Sequence, residues 1–540
     1  MLILERRIIL EKVHSISHRS TEKDSRGASC VTPPASCSVY RRTVKLPSAM
    51  IFVFQFCHLT SPLRPSTPKT QIFKPARPLL DASAPNMSTS KATDFNEFPP
   101  GASLNAQNPI IVVSSYTTFN NLAHGPAGTE AECALWTFRL DSSTGRLVLI
   151  SVNEEPIINP AFSRLHPHRD IMYTCTESVM ENGAIVAYSY NSEDGSLKQK
   201  SITDAKGTST CYITIDKACK NMLIVNYWDA SIHVFGLDPA GSITDHRFKY
   251  DPNHGRKMVA QSDQHVNHSI NNEEAQAARQ ADPHSHAVIL DPYYGQICYV
   301  PDLGKDTVGQ YLFDPETGRL TSFGEFASGQ PGTTALGPRY IEFHPNFPIA
   351  YVINELSSEV AVFEFDHKAA QDMIQAGPSK KRHAQDFKPT LRLVQNISTI
   401  PSGFPKSMNT CGRITVHKSG DHVLCSNRGH DSITSYHVHH NSNPPGLLSL
   451  ASIHHTHGST PRHFTFDPSG QWLLAANQDS DSLSVFRFNL ARGDLEEVGK
   501  PYSIPSPNFV CAIDAWKRPE VARAATSAAT KVAHEGGAKL

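Results

Sequence analysis

Apolar and polar residues recur in a fixed order seven times between Trp136 and Leu495: an apolar strand, a turn, a second strand, and a third strand that ends in an aromatic residue. Asp or a near substitute and a glycine turn then follow, as in Leu140-Asp141-Ser142-Ser143-Thr144-Gly145 and Phe313-Asp314-Pro315-Glu316-Thr317-Gly318. Period-two alternation is clear in Ile232-His233-Val234-Phe235, Val360-Ala361-Val362-Phe363 and Leu483-Ser484-Val485-Phe486, where residues i and i+2 share a face. The aromatic anchors Phe138, Tyr190, Phe235, Tyr311, Phe363, Tyr436 and Phe486 stand 52, 45, 76, 52, 73 and 50 residues apart. A unit of about 50 residues is that of a four-stranded blade. Seven such units close into a ring, which removes the exposed sheet edges of an open array. The pattern therefore predicts an all-β chain, a seven-bladed β-propeller of four-stranded antiparallel blades.

The propeller is expected over 105–515, with 1–104 a disordered leader or mis-extended N-terminus and 516–540 a short C-terminal tail. Met87 is a natural start for the compact protein, and the apolar stretch from Ala49 to Cys57 is too short to span a bilayer. Two insertions lengthen the repeat. Residues 251–283, rich in His, Gln and Asn, join the outer strand of the third blade to the inner strand of the fourth. Residues 367–390 follow the third strand of the fifth. Because strands alternate in direction, the two emerge on opposite faces of the ring. The first is expected as a mobile flap that shapes specificity, the second as irrelevant to catalysis.

Charge narrows the partners. The chain has 50 basic and 51 acidic residues, which gives no electrostatic reason to expect nucleic acid or a membrane surface. A small anionic or uncharged metabolite fits better. Eleven cysteines without a C-x-x-C pair lie mostly in strand-like runs and read as reduced core residues of a cytoplasmic protein.

Counting from the anchors brings polar residues together. Eight positions before the anchor stand Tyr227, Glu355, Arg428 and Gln478; twenty-four before it stand Arg339 and Arg462, with His286 at twenty-five. In an antiparallel blade the start of the first strand and the end of the second lie at the same end, so both sets face one mouth of the channel. Arginine's planar fork suits carboxylate or phosphate. Glu355 beside arginines is expected to be ionised, and burial would instead make it a proton donor. His286 can exchange protons near neutrality. Glu355 and His286 are thus the candidate proton-transfer residues, and Arg339, Arg428, Arg462, Asn427 and Gln478 the candidate substrate-binding set. The His454-His455-Thr456-His457 cluster lacks a carboxylate at ligand spacing, so no metal or other cofactor is expected. A nucleophilic serine elbow and a dinucleotide fingerprint are missing too.

The runs Gly337-Pro338-Arg339-Tyr340-Ile341-Glu342-Phe343-His344-Pro345-Asn346, Tyr351-Val352-Ile353-Asn354-Glu355-Leu356, Ser426-Asn427-Arg428-Gly429-His430-Asp431, Pro461-Arg462-His463-Phe464 and Ala476-Asn477-Gln478-Asp479 resemble the seven-bladed propeller lactonases. Pro283-His284-Ser285-His286 and Pro301-Asp302-Leu303-Gly304 add to the resemblance, which covers about 108–514. That family includes the propeller-type 6-phosphogluconolactonases and the fungal carboxy-cis,cis-muconate cyclases. The resemblance implies that the cyclase-type set of one His, two Arg and one Glu falls on His286, Arg339, Arg428 and Glu355. The chain departs from the family pattern at Asn226-Tyr227-Trp228-Asp229 and at Arg413. Three functions follow as expectations: hydrolysis of a sugar-acid lactone first, cyclisation of a carboxymuconate second, and a non-catalytic interaction scaffold third.

Overall fold

The second strands of the blades are nearly unbroken apolar runs because both of their faces are covered by adjoining blades. Asn221–Asn226, Ile349–Asn354 and Trp472–Asn477 are buried at every position. Alternation survives as alternating exposure only at the rim, where Leu197–Thr208 reads half-buried then exposed over its first eight residues. In a computed structural model describing residues 108–251, 271–330, 335–378 and 388–514, these strands form seven antiparallel sheets arranged as blades. The expectations for the leader and for the tail lie outside the described residues.

Six sheets have four strands, and the seventh gains a short fifth, Tyr502–Ser503, beside Ser482–Asn489. Blades two to seven each open with an inner strand: Pro160–Leu165, Thr210–Ile215, Ile289–Leu290, Pro338–Phe343, Thr410–Val416 and Pro461–Phe466. The first blade is composite. Its inner strand is Pro507–Ile513 from the far end of the chain, which pairs antiparallel with Ile110–Ser115 through Ile110 with Ile513 and Val113 with Val510.

All seven aromatic anchors lie on third strands, and Phe138, Phe235, Phe363 and Tyr436 are among the largest fully buried side chains. The recurrent turn after them has a local cause. Asp141 Oδ1 accepts from Ser143 N at 2.9 Å while Oδ2 accepts from Thr144 Oγ1 at 2.7 Å, and Gly145 follows at φ +75°. This is a carboxylate-nucleated turn completed by a residue that tolerates the left-handed region.

The first strands share a second device. In blades two, three, five and seven the pairing skips their second residue, so that Ala161, Cys211, Arg339 and Arg462 each occupy a bulge. A bulge re-aims a side chain out of the pleat, and from theirs Arg339 reaches Glu355 and Arg462 reaches Glu177.

Both insertions carry helices. Helix α1, Glu273–Arg279, belongs to the first; Asn272 Oδ1 caps it by accepting from Ala275 N at 2.9 Å, and two glutamates occupy its first turn. Helix α2, His367–Ala376, begins on Asp366 and buries Ala370 and Met373 against Phe363 and Phe365. Residues 252–270 and 379–387 of the insertions lie outside the described set.

Candidate active site

At one mouth of the channel, the residue that ends or follows the second strand is supplied by every blade: Tyr116, Glu177, Tyr227, Leu303, Glu355, Arg428 and Gln478. In four of the seven, the preceding residue is asparagine, and its side chain is spent on the blade. Asn427 Nδ2 donates to Thr399 O at 2.9 Å, to Thr434 Oγ1 at 3.0 Å and to Ser432 Oγ at 3.1 Å. Asn477 and Asn226 repeat the arrangement. Asn427, expected among the substrate-binding residues, thus braces the strand end that carries Arg428 and does not line the cavity. Anchor counting found the ring in blades three, five, six and seven; it passed over Leu303 and missed Tyr116 and Glu177, because in blades one and two more residues separate the second-strand end from the aromatic anchor.

Glu355 is the centre. Its Oε1 takes Arg428 Nη2 at 2.7 Å and also Arg279 Nη2, and its Oε2 faces Arg339 Nε at 3.0 Å. Glu355 and Arg428 are each 1% exposed. Burial alone pushes the Glu355 carboxyl upwards, but Arg279, then Arg428 and Arg339, outweigh it and hold the group well below the usual carboxylate range. It is therefore a carboxylate, and the donor alternative raised from sequence does not apply to this geometry. Burial lowers Arg428 to about 10 against the pull of Glu355, so it stays protonated at neutral pH.

His286 enters from the fourth blade. The segment leading to it is pinned by Asp302, which accepts from His284 N and from Ser285 Oγ, each at 2.9 Å. Gly304 lies so near Asp282 that a Cβ there would meet its carbonyl oxygen at 1.8 Å. These contacts account for the paired motifs Pro283-His284-Ser285-His286 and Pro301-Asp302-Leu303-Gly304. Burial, then Arg339, drive the His286 imidazole well below its ordinary pKa despite the nearby Glu355, so the ring is neutral. Its Nδ1 is buried without a hydrogen-bond partner among the described residues.

Arg462 reaches Glu177 at 3.6 Å, and Glu177 also accepts from Tyr116 Oη at 2.9 Å. Gln478 faces His124 at 3.4 Å. The cavity is lined by Ala123, His124, Glu177, Ser209, Tyr227, Arg279, His286, Glu355, Arg428 and Arg462. Of the expected residues it gathers His286, Glu355, Arg428 and Arg462, with Arg339 bonded behind Glu355 and Gln478 behind His124. Arg279, His124 and Glu177 were not anticipated. For Arg279 the signal was an asparagine cap and two glutamates opening an Ala/Gln-rich run; its docking could not be read from sequence. Arg413, noted as a departure, pairs with Glu342 at 2.5 Å and lies over the Tyr340 ring, beside the site.

The histidine cluster at 454–457 does not converge: His455 stacks on His430, whereas His457 faces Glu497 at 3.6 Å. Among the described residues no group of three or more His, Cys, Asp or Glu is placed to hold a metal. All eight described cysteines are free, and no described helix is long and apolar enough to cross a membrane.

The site makes stability depend on pH. Folding lowers the pKa of His124, His286 and His463, in each case chiefly by burial, so below about 6.5 the unfolded chain binds protons that the folded chain refuses. Stability is full above that value and falls as pH drops from it towards the folded pKa values, by at most about 1.4 kcal/mol per pH unit for each ring. Glu355 adds a second loss below about 4.5, its unfolded value. Urea midpoints measured from pH 7.5 to 4 should decline from near 6.5; a plateau down to 4.5 would contradict the buried neutral histidines.

Residues 110–512 match the family described as Lactonase, 7-bladed beta-propeller. The 6-phosphogluconolactonase of Bacillus subtilis (strain 168) is 28% identical over 349 residues, 65% of this chain and 86% of the relative. That of Formosa agariphila is 27% identical over 370 residues, 67% and 90%. In three dimensions the Pseudomonas aeruginosa periplasmic gluconolactonase superposes with a TM-score of 0.57 at 22% identity, covering 75% of this chain and 99% of its own, a likeness of fold alone. The family match over three-quarters of the chain, on a seven-bladed ring, places this protein in the seven-bladed β-propeller lactonase family.

Proposed function

We propose that the protein hydrolyses a sugar-acid lactone bearing an anionic group, of the 6-phosphogluconolactone class. The observation that carries this reading is a buried cluster of four guanidinium groups, Arg279, Arg339, Arg428 and Arg462, whose ion pairs among the described residues go to two carboxylates, Glu177 and Glu355, beside a neutral imidazole. An excess of buried positive charge is costly unless an anion completes it. The relatives named 6-phosphogluconolactonase agree with such a substrate.

In this reading His286 takes a proton from the attacking water through its unpartnered nitrogen. Glu355 stabilises the imidazolium that forms, while its own oxygens stay engaged by arginines. The water oxygen bonds to the lactone carbonyl carbon while Arg428, on the cavity wall, faces the developing oxyanion. The carbon to ring-oxygen bond then breaks, and the ring oxygen receives the proton from His286. Cyclisation of a carboxymuconate would use the same clamp, and a scaffold would use none of it.

The full chain should be assayed against 6-phosphoglucono-1,5-lactone, glucono-1,5-lactone and 3-carboxy-cis,cis-muconate. Hydrolysis of the phosphorylated lactone well above its spontaneous rate is expected, with His286→Asn lowering kcat by about 100-fold or more. Turnover of the muconate alone would transfer the site to the cyclase reading, and turnover of none would leave the scaffold.

A further inference from the structure

The cavity holds a free volume of about 20 Å³. That is room for about one water, whereas small-molecule sites run to about 300–1,000 Å³. A metabolite enters only if a lining group gives way, and the structure indicates which. Nearly all of the lining comes from the blades and their turns; Arg279 is delivered by the insertion on helix α1.

Arg279 is the strongest of the three charges on Glu355, yet the carboxylate oxygen it binds has a second partner. It shares Oε1 with Arg428, and Oε2 has Arg339. When Arg279 leaves, each oxygen of Glu355 keeps a guanidinium. The helix need not move. Asn271 Nδ2 donates to Leu356 O at 2.6 Å and to Asn409 O at 3.1 Å, and Gln280 Nε2 donates to Leu303 O at 3.2 Å. The segment is thus strapped to blade edges on both sides of Arg279, leaving the long side chain as the exchangeable part. Its Nη1 makes no well-directed hydrogen bond among the described residues, the guanidinium lies against the Tyr227 phenol as well as Glu355, and the whole residue is 8% exposed. A buried guanidinium with spare donors, on a site with more arginines than carboxylates, is set to receive oxyanion oxygens.

We propose that Arg279 is the specificity-determining residue of this site: its guanidinium leaves Glu355 for the phosphate monoester of the substrate, which both opens the cavity and selects phosphorylated over unphosphorylated sugar acids. This rests on the lactonase reading above. The exchange is of ion-pair partners only, and no covalent bond is made or broken. It also withdraws one positive charge from Glu355, so the carboxylate supports His286 more strongly once the phosphate is bound.

The test uses binding of unreactive products, so it is read separately from turnover. By calorimetry, the wild-type chain should bind 6-phosphogluconate about tenfold or more tighter than gluconate, and Arg279→Ala should reduce that ratio to about threefold or less. Arg279→Lys should fall between, since Lys keeps the charge and loses the fork. A wild-type chain without preference, or an Arg279→Ala or Arg279→Lys chain that keeps the full ratio, overturns the proposal. Failure of the wild type to open either lactone would instead count against the hydrolase reading, and the two failures are distinguishable because one is a ratio of affinities and the other a rate.

Discussion

Glu355→Gln is expected to lose both turnover and stability. The substitution keeps shape and removes charge, so Arg279, Arg339 and Arg428 are left buried with no carboxylate at their centre. Breaking a buried ion pair from one side typically costs about 3–5 kcal/mol, because the remaining charge is unpaired and desolvated. With three arginines around one carboxylate, the unfolding free energy read from urea melts should fall by an amount in that range, with a lower midpoint and little change in slope. Turnover should drop about 100-fold or more, since the imidazolium formed at His286 loses its counter-charge. Glu355→Asp restores charge on a shorter stem and should recover more stability than activity. A Glu355→Gln chain with unchanged midpoint and unchanged kcat would show that Glu355 organises neither the fold nor the chemistry.

Ending the chain after Ser506 should have an effect as large, for a different reason. It removes Pro507–Ile513, the inner strand of the first blade, and leaves Ile110–Ser115 with one unpaired edge and a bared apolar face. Val510 and Ile513 are each 1% exposed, so their core contacts vanish with the strand. A ring opened at one blade presents edge strands that pair with other chains. Loss of soluble protein, or loss of a single cooperative unfolding transition, is the expected result. A soluble, cooperatively unfolding truncated chain would show that closure by this strand is dispensable.

The site was legible wherever the repeat kept its spacing. Glu355, Arg428 and Gln478 fall at one register position because the interval from second-strand end to aromatic anchor is constant in their blades, and Arg339 and Arg462 share a bulge for the same reason. Tyr116 and Glu177 occupy the same ring but escaped the count when their connections lengthened. Asn427 misled because it adjoins Arg428, while strand alternation turns its side chain into the blade. The first insertion was placed on the site's face by strand direction, while the capped helix Glu273–Arg279 that brings Arg279 to the cavity was not foreseen in it.

Sequence by itself determined the blade, its number and the mouth at which polar residues gather, because those depend on periodicity and on the alternation of strand direction, which are local. Tertiary structure alone decided three things. The closing strand comes from the far end of the chain, Glu355 is shared by three guanidinium groups, and Arg279 fills the cavity. Most of these contacts join residues dozens to hundreds of positions apart, and their meeting is set by ring closure and by the balance between desolvation and charge pairing at one buried point. No spacing along the chain encodes that balance, which exists only once the blades surround it.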